Sequence, residues 1–184
     1  MPATKNIITY TELAANKTES TTHTELWDGQ LLMSPSPSYR HQKIVLNLAM
    51  TLSHHAQSTG LGEVLTAPID VVLSEHRVVQ PDIVFLSTDH LARARDVIHG
   101  PVDLAIEVIS IGTRHRDRIE KRDLYQQHGI PEYWLIDPEA ETIEILTLND
   151  NGEYHISSHA RTKGTLHSPT FPNLKLTAEA ILLP

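Results

Sequence analysis

The stretch Val102-Asp103-Leu104-Ala105-Ile106-Glu107-Val108-Ile109 decides how this chain folds. Read with a period of two, Val102, Leu104, Ile106 and Val108 face one way, and Asp103, Ala105, Glu107 and Ile109 face the other. Both faces are largely apolar around Glu107, as in a central strand covered on both sides. An ionised glutamate there costs roughly several kcal/mol unless a cation or hydrogen-bond donor meets it, or an edge position gives it water. The run therefore predicts a sheet with elements packed on both faces and a specific partner for Glu107.

Working outward, β-like runs appear at Glu63–Leu65, Ile69–Leu73, Asp82–Leu86, Tyr133–Ile136 and Thr142–Leu146, with a further edge strand at Tyr154–His159. Asp28-Gly29 between apolar runs signals a hairpin over Glu25–Met33, which Ser34-Pro35-Ser36-Pro37 then stops. Val45, Leu48, Ala49, Leu52 and Ala56 recur at helical spacing within a predicted helix over 39–57, and His41 lies on that inward face. A short helix follows Thr9, with Glu12 placed as a capping-box partner. Another helix runs from near Thr113 to Gly129, with Pro131 beyond, and Leu174–Leu182 makes a mixed ending. Strands interspersed with helices predict an α/β architecture, a mixed β-sheet flanked by helices, as one domain over residues 1–184.

Composition narrows the chemistry. The 184 residues carry no Cys, which removes disulfides, thiol nucleophiles and cysteine zinc sites together. There are 12 His, yet none stands in an HExxH-type spacing, and His54, His55, His155 and His159 read as surface residues. No long uncharged apolar run suggests a membrane span, and Met1–Lys5 lacks the apolar stretch of a signal peptide, so a cytoplasmic protein is expected, folding alone or as a homodimer. A net charge of -8 has the wrong sign for a protein that coats nucleic acid, so any such contact has to be local.

Asp82, directly after Pro81, opens the run Ile83–Leu86, and Asp70 sits inside another, Ile69–Leu73, reading as an edge or turn-facing residue. Two carboxylates brought close raise each other's pKa, and a divalent cation between them removes the penalty. All-oxygen ligation without Cys points to a hard cation such as Mg2+ or Mn2+. Asp117, Lys121 and Tyr125 are spaced i, i+4, i+8, along one side of the predicted helix, either as a working ladder or as an ion pair on a solvated face. Around them Arg114, Arg116, Arg118, Lys121 and Arg122 stand against only Asp117 and Glu120, a basic patch suited to a phosphodiester.

With Glu25, Asp28-Gly29, Met33-Ser34-Pro35, His41, Pro81-Asp82-Ile83-Val84-Phe85, Glu107-Val108-Ile109-Ser110, the Asp117/Lys121/Tyr125 ladder and Glu132–Pro138 in this order, the chain resembles the Uma2 family. Members of that family are similar to PD-(D/E)XK restriction endonuclease-like proteins. The resemblance implies a restriction endonuclease-like core, with Asp82 as the Asp of the PD motif and Glu107 as the acidic residue of (D/E)XK. Ile109 stands where the motif lysine would be, and the family pattern moves that lysine to Lys121. It further implies a metal-dependent endonuclease acting on DNA, in which Asp82 and Glu107, with the Val108 carbonyl, hold Mg2+ or Mn2+. Lys121 then acts on the attacking water, Asp117 and Tyr125 fix Lys121, Glu25 and His41 border the site, and Arg114, Arg116, Arg118 and Arg122 contact DNA. The alternatives are an inactive endonuclease-like module that binds DNA or protein, and a small-molecule hydrolase.

Overall fold

The structure, a computed structural model, describes residues 7–15 and 24–182; Met1–Lys5 lie outside these. Its elements in chain order are α1 (Tyr10–Ala15), β1 (Thr24–Trp27), β2 (Gln30–Met33), α2 (Tyr39–Thr59), β3 (Gly62–Thr66), β4 (Val71–Ser74), β5 (Arg77–Val79), β6 (Ile83–Ser87), β7 (Ile98–His99) and β8 (Leu104–Val108). A π-helical turn over Arg116–Lys121 leads into α3 (Arg122–Gln127). Then come β9 (Glu132–Asp137), β10 (Thr142–Leu148), β11 (Tyr154–Arg161), β12 (Thr165–Leu166), β13 (Leu176–Thr177) and α4 (Ala178–Leu182).

The decisive stretch is the central strand it was read to be. A six-stranded mixed sheet has the order β11-β10-β9-β8-β6-β3, with β8 parallel to β9 and antiparallel to β6. Leu104, Ile106 and Val108 pack with Ile44, Leu48 and Leu52 of α2 and with Phe171 and Ile181 near the C-terminus. Ala105 and Ile109 pack on the opposite face with Leu124, Tyr125 and Tyr133. Val102 joins that second face because it precedes the strand and escapes its alternation.

Where the sequence suggested one sheet, the molecule has two main ones. β2-β1-β5-β4-β7 form a second, five-stranded sheet, whose Val71, Val79 and Ile98 share the core beneath Tyr125 and Tyr133. Its strands β5 and β7 have only three and two residues, too short for periodicity to register. Asp28 (φ 48°) and Gly29 (φ 74°) make the expected hairpin turn, and a side chain at Gly29 would collide with Ile7. Asp70 falls outside β4, buried, and accepts from Gln80 Nε2 at 2.6 Å. The expected 113–129 helix is split, its first half wound as the π-turn. Ser38 caps α2 by accepting from the His41 amide, and Gly60 (φ 68°) ends it.

Glu132, at the start of β9, is buried, makes no ion pair among the described residues and is held by hydrogen-bond donors. It accepts from Trp134 Nε1 at 2.5 Å, Ser168 Oγ at 2.7 Å, and Thr170 N and Oγ1 at 2.9 and 2.6 Å. These bonds fasten the 168–171 segment, and with it Phe171, onto the sheet. Glu132→Ala strands buried donors and should cost about 3 kcal/mol or more in urea denaturation, and Glu132→Gln about 1–3, since the amide nitrogen replaces an acceptor. A loss below about 1 kcal/mol for the alanine variant would show that these donors re-pair elsewhere.

Candidate active site

Strand pairing builds the first half of the site. The antiparallel register Ile83↔Ile106 sets Asp82 across from Glu107, and Asp82 Oδ2 accepts from the Val108 amide at 2.8 Å. His41, reaching over from the first turn of α2, places Nε2 3.2 Å from the same oxygen.

The π-turn builds the second half. Its wider i→i+5 winding, a frequent feature of functional sites, carries Asp117 and Lys121 into the protein rather than along a surface. Tyr133 OH donates to the Asp117 main-chain carbonyl within that turn, at 2.9 Å. Lys121 Nζ sits 2.7 Å from Glu107 Oε1, 2.9 Å from Glu25 Oε1 and 4.0 Å from Asp117 Oδ1. Tyr125 OH donates to Glu107 Oε1 at 2.8 Å, so the ladder closes on the glutamate and not on the lysine. Glu25 arrives from β1 and is held further by the Gln80 amide at 3.0 Å and by Trp27 Nε1 at 3.0 Å.

The electrostatics follow from one buried ammonium shared among three carboxylates. Burial alone would push the Lys121 pKa down, but Glu107, Glu25 and Asp117 push it well above its ordinary value, so Lys121 stays charged. Glu25 is buried too, yet the charge of Lys121 and the Gln80 amide hold its carboxyl below the usual range. Burial raises Glu107 well above the usual carboxylate range, against the pull of Lys121 and with the help of Asp117, Asp82 and Glu25. Asp117 is raised as well, by burial first. Burial opposes the charged form of His41, but its hydrogen bond to Asp82 and the charge there outweigh this and raise its pKa.

A cavity of about 830 Å3 opens on this cluster; Asp82, Glu107, Val108, Asp117, Lys121 and His41 all line it, with Arg40, Ser110, Thr113 and Arg116 around them. The candidate residues thus converge, except for most of the basic patch. Arg116 lines the cavity, 3.4 Å from Ser34 Oγ and 3.9 Å from Glu25 Oε2. Arg114 and Arg118 turn to Asp137, at 3.4 and 3.2 Å, and Arg118 also to Glu144 at 3.1 Å. Arg122 makes no ion pair among the described residues and does not line the cavity. Sequence reading passed over Gln80, Trp27, Arg40 and Tyr133. Gln80 adjoins the Pro81-Asp82 pair and was findable on that ground; Tyr133 looked like any aromatic strand residue.

Among the described residues no group of three or more His, Asp or Glu side chains is arranged to hold a metal ion by itself. The residues nevertheless fit a hard cation in their chemistry. Each of the paired carboxylates is gripped through one oxygen only: Asp82 Oδ1 and Glu107 Oε2 accept no hydrogen bond among the described residues. Burial raises Glu107 and Asp117 first, and the neighbouring carboxylates add to it; that added repulsion is what a divalent ion would relieve.

Comparison with known proteins bears on the fold and the family. A solved structure described as a "putative nuclease belonging to DUF820", from Anabaena variabilis ATCC 29413, superposes with a TM-score of 0.81 at 17% identity, covering 95% of this chain and 97% of that one. The two share a fold. The type IIG restriction endonuclease BpuSI matches with a TM-score of 0.39 and 17% identity over 68% of this chain and 14% of its own. No curated protein matches in sequence. The family model described as "Putative restriction endonuclease" matches residues 9–179, and the chain belongs to that family, Uma2.

Proposed function

We propose that this protein is a divalent-metal-dependent nuclease that hydrolyses DNA phosphodiester bonds. The observation that carries the reading is the pair of half-gripped carboxylates, Asp82 and Glu107, each with one unpartnered oxygen beside a shared cavity. Membership of a restriction endonuclease-like family supports DNA as the substrate. No helix among the described residues is long and apolar enough to cross a membrane, and the reading sets the protein to work on DNA in the cytoplasm.

Asp82 and Glu107, with the main-chain carbonyl of Val108, would hold the ion. Bound Mg2+ or Mn2+ would supply Lewis acidity, lowering the pKa of water and neutralising charge that builds on the phosphate. Lys121, locked by three carboxylates, serves as a fixed positive charge that orients water or phosphate at the cavity wall; its raised pKa makes it a poor proton acceptor. Glu25 and Asp117 hold Lys121, and Tyr125 holds Glu107. Arg116 is the member of the basic segment placed to meet a backbone phosphate at the cavity, while Arg114 and Arg118 would do so only by leaving Asp137. The second reading, an inactive module that binds DNA or protein, draws on Lys121 already pairing with Glu107 and on the lack, among the described residues, of a third carboxylate or imidazole arranged for an ion.

A titration with Mg2+ or Mn2+ separates the two. Wild type should bind the ion and nick plasmid DNA, Glu107→Gln should bind none, and Lys121→Ala should bind the ion without nicking. A wild type that takes up no ion leaves the module reading.

In the metal-free protein, stability should depend on pH through Glu107 with a defined sign. Below the ordinary value of 4.5 the carboxyl is protonated in both folded and unfolded chains, and nothing changes. Above it the unfolded chain releases the proton while the fold retains it up to its raised value. Wild type should therefore lose stability relative to Glu107→Gln across that window and level off beyond it, as urea denaturation at several pH values would record. A gap that stays constant with pH would contradict the burial argument.

Arg116→Ala should weaken DNA binding and lower the slope of log affinity against log salt by about 1, the loss of one phosphate contact. An unchanged slope in fluorescence anisotropy would place the phosphate contacts elsewhere.

A further inference from the structure

We propose that His41 is a positioning residue for the cation site: it fixes Asp82 through Oδ2 so that Oδ1 is the oxygen offered to the cavity. This rests on the nuclease reading and goes beyond it by assigning His41 a task that no ligand set requires. Asp82 Oδ2 takes two donors from different directions, the Val108 amide at 2.8 Å along the sheet and His41 Nε2 at 3.2 Å from α2. With the amide alone, the carboxylate could rotate about its last torsion and exchange its two oxygens, because such torsions are broad and nearly two-fold. A second donor from another element removes that freedom.

Two features argue that His41 works through Asp82 and does not bind a cation itself. Nε2 is already committed to the carboxylate. Nδ1 is buried and has no hydrogen-bond partner among the described residues, so it presents nothing to the cavity. An unsatisfied ring nitrogen in the core is unfavourable, and a residue kept only for packing would do better as leucine at this position, where Ile44, Val45 and Leu48 follow on the same buried face. The long helix thereby couples the site to the main core, since the residues that seat α2 on the sheet also set the height of the His41 ring.

The glutamate is arranged in parallel. Glu107 Oε1 takes Lys121 Nζ and Tyr125 OH, leaving Oε2. Each carboxylate is thus held by two donors on one oxygen, and His41 fills for Asp82 the place that Tyr125 fills for Glu107.

Calorimetric titration of Mn2+ into the full-length protein tests this, with thermal unfolding followed in parallel. His41→Ala should weaken Mn2+ binding about 10- to 100-fold, the range seen when an outer partner of a metal ligand is removed. His41→Gln, whose side-chain amide can donate to the same oxygen, should recover most of that affinity. If the alanine variant does not fold, His41→Leu, which fills the space without a donor, takes its place in the comparison. Undiminished affinity in the variants without a donor, with only the unfolding temperature lowered, would overturn the proposal in favour of packing alone. Equal loss in the glutamine and alanine variants would overturn it in favour of direct ligation by the ring. A wild type that binds no Mn2+ would overturn both this proposal and the nuclease reading, whereas the first two outcomes leave that reading standing.

Discussion

A carboxylate in the middle of a six-stranded sheet, covered on both faces, is the constraint that the rest of this structure answers. Glu107 cannot be solvated, and a buried charge is tolerated only where partners replace its water. Lys121 and Tyr125 are those partners, and both belong to the segment directly after the strand. One ammonium then draws in two more carboxylates, so the compensation for one buried charge creates an anionic cluster. The cluster carries more negative than positive charge, and Glu107 still keeps one oxygen without a donor among the described residues.

That imbalance separates the site from the other buried acids of the chain. Glu132 has donors on both oxygens, and it works as a clamp for the 168–171 segment. Asp137 takes two arginines and the amides of residues 139 and 140; burial would raise its carboxyl, but the Ala140 amide, Arg118 and Arg114 hold it below the usual range. Both are fully spoken for. Asp82 and Glu107 each keep one oxygen without a donor among the described residues, and both residues line the cavity.

The distribution of basic residues follows the same logic. A chain at -8 has few cations to spare, and the structure spends Arg114 and Arg118 on internal acids before any reach a ligand. Arg116 and Arg40 remain at the cavity. What reads as a +3 stretch along the chain is therefore divided in space between internal ion pairs and the cavity wall.

The sequence by itself determined the elements whose signals are local. The alternation around Glu107 marks a covered central strand, Asp28-Gly29 marks the hairpin, the spacing of Val45, Leu48 and Leu52 marks the long helix, and i, i+4 spacing puts Asp117 beside Lys121. It also identified the residues that converge, because a charge inside an apolar run stands out wherever the run folds. Only the tertiary structure decided how they meet. Glu25 and Lys121 are far apart in the chain and belong to different layers, and nothing in the short strands β5 and β7 announces the second sheet that delivers Glu25. The Tyr125 bond to Glu107, the Gln80 amide on Glu25 and the capture of Arg114 and Arg118 by Asp137 are likewise contacts between different elements, and the π-turn is a winding that helical spacing does not distinguish from an α-helix. Periodicity records which face a residue takes; which atom of that residue is left unpaired depends on the direction of every donor around it, and that direction exists only once the layers have packed.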